Sequence, residues 1–202
     1  SLVNQRSVWC QRIHAELFQH GVSLPEAQID SGQTREWLAS DTVQLSAAAR
    51  QRIAIGYHMI DATQTVLSPL RQELIRFGRR QPACKALAAA HYGIGPLTAV
   101  VVWAELGDCR RFSRSMQVVR HTGLDVTVDA SDRHRSHGRL SRQGPETLRW
   151  ALFEAGMAAA RATSPDRAYY QSVKQAHDGK LARRCYHTLR AMDPEMVYAV
   201  PA

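Results

Sequence analysis

The sequence predicts an all-α protein: a long helical, coiled-coil-like segment followed by a compact helical domain. Three observations predict it. Apolar residues recur at spacings of three and four along most of the chain. Strand-like alternation is scarce. Breaks at Gly21–Gly32 and at Gln81-Pro82 separate the periodic stretches.

Leu2, Trp9, Ile13 and Leu17 line one face of a first helix. That helix is already under way at the first residues, so the chain is expected to be cut from something longer. Residues 21–32, with Pro25, form a loop, and Asp41 is placed to cap the next helix. This second helix runs roughly from Thr42 to Arg79. Ile53, Gly56, Ile60, Thr63, Leu67, Leu70, Leu74 and Phe77 form a seam suited to a coiled coil or to an ordinary bundle. The interior Pro69 predicts a kink. These observations divide the chain into a helical linker over 1–80 and a second domain over 81–202. Within the latter, Ala86 to Leu106 reads as two buried helices joined by a turn. Its unbroken apolar part is about 10 residues against the ~20 that a membrane span needs, so no membrane is expected. Helices resume at Pro145 and run to about Thr163, with apolar residues almost all round (Leu148, Trp150, Leu152, Phe153, Ala155, Met157, Ala159), which predicts a buried helix. Two more are expected over Asp166–Ala176 and Leu181–Met192.

The 202 residues carry 26 Lys+Arg and 18 Asp+Glu, a formal net charge of +8. Apolar residues make up 45%, which excludes a disordered acidic tail, a collagen-like repeat and a disulfide-dense mini-protein. Only three of the basic residues are lysine; the rest are arginine, which grips phosphate bidentately. Residues 110–149 hold nine arginines against four carboxylates. Charge concentrated in this way favours a polyanionic partner, nucleic acid first. Cys10, Cys84, Cys109 and Cys185 have neither zinc nor redox spacing, so reduced buried thiols in a cytoplasmic chain are expected.

Three segments can carry chemistry. The first is Tyr92-Gly93-Ile94-Gly95-Pro96-Leu97-Thr98-Ala99. A Gly-x-Gly turn that opens a helix aims backbone N–H groups and the helix dipole outward, as a helix-hairpin-helix does when it grips a DNA backbone through Gly93, Gly95 and Thr98. The same glycines would equally serve a tight turn between closely packed helices. The second is the arginine-rich loop 125–144. It offers Ser131, Ser136 and Ser141 among Arg133, Arg135, Arg139 and Arg142, with His134 and His137 as bases or phosphate ligands. A serine attacking a phosphodiester needs cations to stabilise the negative charge that builds up. A flexible loop that contacts nucleic acid without doing chemistry would have the same composition. The third is Arg149, near the start of the following helix, placed either to reach a phosphate there or to form a surface salt bridge with Glu146 or Glu154. No Walker loop, dinucleotide fingerprint or metalloprotease motif occurs, and no metal site is expected in this chain.

YGIGPLTAVVVWAELGD, RRFSRSMQVVRHTGL, LSRQG and PETLRWALFEAGMAAAR follow in that order. The series resembles the C-terminal transposase domain of the insertion-sequence 116/110/902 family. The shared positions are Gly93, Gly95, Thr98, Ala99, Glu105, Gly107, Asp108, Arg111, Phe112, Gly123, Leu124, Gly144, Leu148 and Arg149. The resemblance is good over about 84–161 and looser to the C-terminus. It implies a DNA transposase in a bacterial cytoplasm, associated with the nucleoid when bound to DNA. It also implies a helical coiled-coil linker, oligomerisation and a structured guide RNA. A serine that joins covalently to DNA maps to Ser131. Full-length relatives hold Mg²⁺ on a separate RuvC-like domain with four acidic residues, which these residues do not contain. Two positions differ from the usual pattern, Asp132 in place of Gly and Tyr92 in place of Pro. The resulting expectation is a chain that binds DNA but does not recombine it alone. The alternative is a non-catalytic helical nucleic-acid-binding module.

Overall fold

A computed structural model describes residues 1–24, 28–131, 134–168, 171 and 180–199; the side chains of 128–131, 134–139 and 180 lie outside that description. The chain divides into two compact units, Ser1–Gln72 and Glu73–Ala202. The protein is predominantly helical, as its periodicity predicts.

The first unit holds α1 (Leu2–Gln19), α2 (Gly32–Ala39) and the greater part of α3 (Ala47–Arg80). Ile13 and Leu17 are buried with Leu38, Val43, Ile53 and Ile60, with Trp9 and Tyr57 packed at the edge. Leu2 is exposed, so the apolar face of α1 begins later than the sequence suggests. Asp41 does not cap α3. The Ser46 hydroxyl accepts from the Ala49 N–H at 3.2 Å instead. The intervening turn is closed by Arg50, whose guanidinium donates to the carbonyls of Leu38, Ser40 and Val43 at 3.1, 3.3 and 2.7 Å. Of the expected seam, Ile53, Gly56, Ile60 and Thr63 are buried inside this unit, whereas Leu70 and Leu74 are exposed. Pro69 lies within the continuous helix α3.

The second unit takes in the end of α3 and then α4 (Pro82–Ala90), α5 (Pro96–Leu106), a 3-10 turn (Cys109–Arg111), α6 (Ser115–Thr122), β1 (Val126–Ser131), β2 (His134–Leu140), α7 (Glu146–Ala159), α8 (Lys180–Arg190) and α9 (Pro194–Tyr198). The helix expected over 166–176 falls largely outside the described residues. Small side chains dominate the core: Ala83, Cys84, Ala99, Cys109, Ala151, Ala155, Ala182 and Cys185 pack with Leu87, Val102, Leu106, Val118, Leu148 and Leu189. Burial pushes the Cys84 and Cys185 thiols up to about 12 and Cys109 to about 11, so these thiols stay protonated and inert. Among the described residues no helix is long and apolar enough to cross a membrane.

Gln81, which in sequence reads as a chain breaker, is fully buried. Its side-chain oxygen caps α4 by accepting from the Cys84 N–H at 3.0 Å, and its amide nitrogen donates to the Val197 carbonyl at 2.8 Å. The Trp103 indole donates to that same carbonyl at 2.7 Å. One amide thus starts α4 and ties α9 to it. Gln81→Ala loses the cap and leaves buried groups short of partners, and is expected to destabilise the chain by about 2–4 kcal/mol, measured as a shift in urea midpoint.

Candidate nucleic-acid interface

The turn between α4 and α5 follows from its residues. His91 ends α4, Gly95 starts α5 with an extended backbone, and Pro96 takes the first helical position, where a missing N–H costs nothing. Its two glycines have different jobs. Gly93 has φ +88°, and a β-carbon there would stand 2.5 Å from the Ala155 carbonyl oxygen and 2.9 Å from the Ala158 β-carbon. It therefore seats the turn against α7. Gly95 has an ordinary backbone and open space around it. Thr98 is half-buried in the first turn of α5. Gly93→Ala is expected to destabilise the fold by about 3 kcal/mol, whereas Gly95→Ala costs less than about 1 kcal/mol. Thermal unfolding of the two variants checks the contrast.

His91 is buried behind this turn. Its Nε2 lies 2.9 Å from the Thr188 hydroxyl, which itself donates to the Arg184 carbonyl. Thr188 has one proton and has spent it on that carbonyl, so the His91 proton sits on Nε2, and the buried Nδ1 has no partner. Burial, followed by the Arg184 charge, lowers the His91 pKa; Asp166 opposes weakly. The imidazole is neutral in the fold, while the unfolded chain takes up a proton near 6.5. Between the two pKa values the unfolded state binds more protons, so stability rises with pH up to about 6.5 and then levels. His91→Gln should flatten that slope in urea titrations at pH 5 and pH 7.5.

The arginine-rich loop is not irregular. It is an antiparallel hairpin of β1 and β2, with Ser131 opposite His134 and Asp129 opposite Ser136. The register shifts between Val126 and Val128, where β2 carries one residue more than β1, a bulge that takes in Gly138 and Arg139. The hairpin is fixed at its base. A β-carbon on Gly123, at φ +67°, would lie 2.8 Å from the Gln143 nitrogen, and one on Gly144 would overlap the His121 carbonyl oxygen. Arg142 adopts φ +52°, and its N–H donates to the Gly123 carbonyl at 3.0 Å. The Ser141 N–H donates to the Asp125 carbonyl at 2.9 Å, and the Ser141 hydroxyl donates to the Asp125 carboxylate. Ser141 is therefore committed to closing the hairpin.

Ser131 is the last residue of β1, at the far end of the hairpin. Arg133 lies outside the described residues, as do the side chains of Ser131, Arg135 and Arg139. Arg149 donates from Nη1 to the Gly144 carbonyl at 2.6 Å, while Arg142 bonds to Gly123 across the same junction. The turn containing Gly93 packs at the other end of α7, about 15 Å away along the axis at 1.5 Å per residue. The hairpin base and that turn are thus held by one helix without being brought together. The same helix departs from expectation on its outer side. Leu148, Ala151, Leu152 and Ala155 are buried, but Trp150, Phe153 and Met157 are 48%, 62% and 49% exposed. Among the described residues, helix α7 is covered on the face of Leu148, Ala151, Leu152 and Ala155.

A basic feature was missed in the sequence. Helix α8 buries Ala182, Cys185, Tyr186 and Leu189 and turns Arg183, His187 and Arg190 along another face. The signal was available in the period-3.6 pattern of KLARRCYHTLR. Among the described residues no three His, Cys, Asp or Glu side chains gather as a metal-ligand set.

Residues 85–171, from α4 through the hairpin and α7, match the family model described as Transposase IS116/IS110/IS902 family. No curated protein matches the chain.

Proposed function

We propose, from the premise that residues 85–171 are a transposase domain of the IS116/IS110/IS902 family, that the chain binds DNA and presents Ser131 for strand cleavage and joining. The observation that carries this reading is the family match across the turn, the hairpin and α7 together. The fold supports it in one respect: the serine ends a strand, paired with His134, in a hairpin whose base is fixed by close backbone contacts.

In the proposed step the Ser131 oxygen attacks a phosphodiester phosphorus. A serine–phosphate ester bond forms as the bond to one nucleoside oxygen breaks. The hydroxyl proton passes to a base, and the departing oxygen takes up a proton. Reversal with a new strand end joins DNA and frees the serine. Arg133, Arg135, Arg139, Arg142 and Arg149 would neutralise the non-bridging oxygens as charge builds. Gly95 and Thr98 would contact the backbone of the same DNA or of a guide RNA. As the family resemblance implies, Mg²⁺ would be held by an acidic domain supplied in addition, and oligomerisation would bring such parts together.

The test incubates the chain with duplex DNA and Mg²⁺, alone and with a RuvC-like domain of the family. A denaturing gel then reports protein–DNA adduct. Adduct is expected only with the acidic domain present. Ser131→Ala should abolish it, a loss of about 10³-fold or more, with duplex affinity changed less than about threefold, since an alanine there removes no charge. Adduct that survives Ser131→Ala overturns the assignment. Duplex binding with no adduct under any condition leaves the non-catalytic binding module as the function.

A further inference from the structure

We infer that the second unit has a separate docking face for a nucleic-acid backbone, built by α8 together with the segment 111–116 and distinct from the hairpin. Residues 109–122 and 180–190 hold eight Arg or Lys side chains and no Asp or Glu. In the fold these two stretches pack on each other through α6, the 3-10 turn and α8. Among the described residues, Asp108 holds Arg110 at 2.8 Å, and Asp166 lies 3.4 Å from Arg184.

The remaining arrangement converges on Phe112. Arg190 donates to the Phe112 carbonyl at 2.6 Å and lies over the Tyr186 ring, whose hydroxyl donates to that carbonyl at 3.2 Å. Arg111 stacks on the Phe112 ring at 4.5 Å and donates to the Glu105 carbonyl. Arg183 reaches the Met116 sulfur at 2.8 Å. Arg114 is exposed between them, and His187 is exposed one turn from Arg183. The groups that accept hydrogen bonds from Arg111 and Arg190 are neutral, while the Asp108 carboxylate, itself hydrogen-bonded to Arg110, acts on Arg190 only at longer range. An aromatic-stacked guanidinium that keeps free N–H donors is pre-organised for phosphate. Positions 183, 187 and 190 share one face of α8 and run about 10 Å along it, a length that spans more than one phosphate. No base-reading element accompanies them, so the contact they fit is to the backbone and independent of sequence. Helix α8 lies beyond the residues that match the transposase family model. The inference rests on the nucleic-acid reading above but not on Ser131.

The test measures binding of a random-sequence 30-base-pair DNA duplex, and of an RNA duplex of equal length, by fluorescence anisotropy over a range of salt. Arg111→Gln/Arg114→Gln/Arg190→Gln is compared with Arg12→Gln/Arg71→Gln/Arg79→Gln, which removes the same charge elsewhere. The first variant should lose about tenfold or more in affinity, and its salt slope should fall by about two to three. The second should stay within about threefold of the unaltered protein. The DNA and RNA arms tell which backbone is held more tightly. Because Arg190 also supports Phe112, Arg114→Glu/His187→Glu is measured alongside; both side chains are exposed, and this variant should also bind weakly while unfolding at the same temperature. Equal losses in the first two variants, or unaltered binding in the first and in Arg114→Glu/His187→Glu, overturns the inference while leaving the transposase reading in place. An unaltered protein that binds no duplex overturns both.

Discussion

Two backbone segments, 121–123 and 142–144, approach so closely that neither Gly123 nor Gly144 has room for a β-carbon. The proposed site depends on that approach. It brings the end of α6 against the start of α7 and leaves the hairpin as the only way for the chain to pass between them. Everything around it is arranged to hold it. Arg142 accepts a left-handed backbone, a conformation unfavourable for a branched or bulky residue. Asp125 takes hydrogen bonds from both the backbone and the hydroxyl of Ser141. Arg149 reaches back to the carbonyl of Gly144. Helix α7 begins at this junction and ends against the turn at Gly93, so one element bears on both.

The helical architecture was legible because it rests on periodic burial. The α4–α5 pair, Pro96 at a first helical position and the buried stripe of α7 all follow from apolar spacing and from proline's fixed φ. The hairpin was not legible for the same reason. β1, VTVDAS, does alternate apolar and polar residues, but the stretch is only six residues long; β2, HRSHGRL, is written in His, Arg, Ser and Gly with no apolar alternation to read, so the pair does not announce itself. Gln81 was misread in a related way, and the role of Arg50 went unread. A polar residue beside proline reads as a break, and an arginine in a helix reads as a solvated charge, yet each satisfies backbone groups that would otherwise be left unpaired. The outer face of α7 shows the converse limit. Trp150, Phe153 and Met157 look like core by composition, but composition does not say how many sides of a helix have neighbours.

The site residues were legible only in part. Gly93 and Gly95 are indistinguishable in sequence, each a glycine in a Gly-x-Gly turn. The fold separates them, because one faces α7 at contact distance and the other faces open space. Ser141 and Ser131 are separated in the same manner, since Ser141 has a carboxylate partner at the base while Ser131 ends a strand at the tip. Chemistry-bearing residue types mark a region; the backbone decides which of them serve packing.

Counting arginines overstates the surface available to phosphate. Arg35 and Arg52 are matched by Asp61 and Glu16, whose carboxyls they hold below the usual carboxylate range. Arg50 is spent on carbonyls, and Arg110 on Asp108, which it likewise depresses. Exposed pairs of this kind contribute little to stability, but each removes a cation from the field that a polyanion meets. What remains is uneven. The first unit pairs Arg6, Arg35 and Arg52 with carboxylates, while the stretches that pack around Phe112 contain no carboxylate of their own. Long-range attraction therefore falls on the second unit, and within it on faces where arginines are anchored by neutral acceptors. An anchored guanidinium has already lost much of its side-chain freedom, so closing on a phosphate costs less entropy than it would for a lysine waving in solvent. That is a physical reason for a chain with only three lysines to place arginine where a backbone must be gripped.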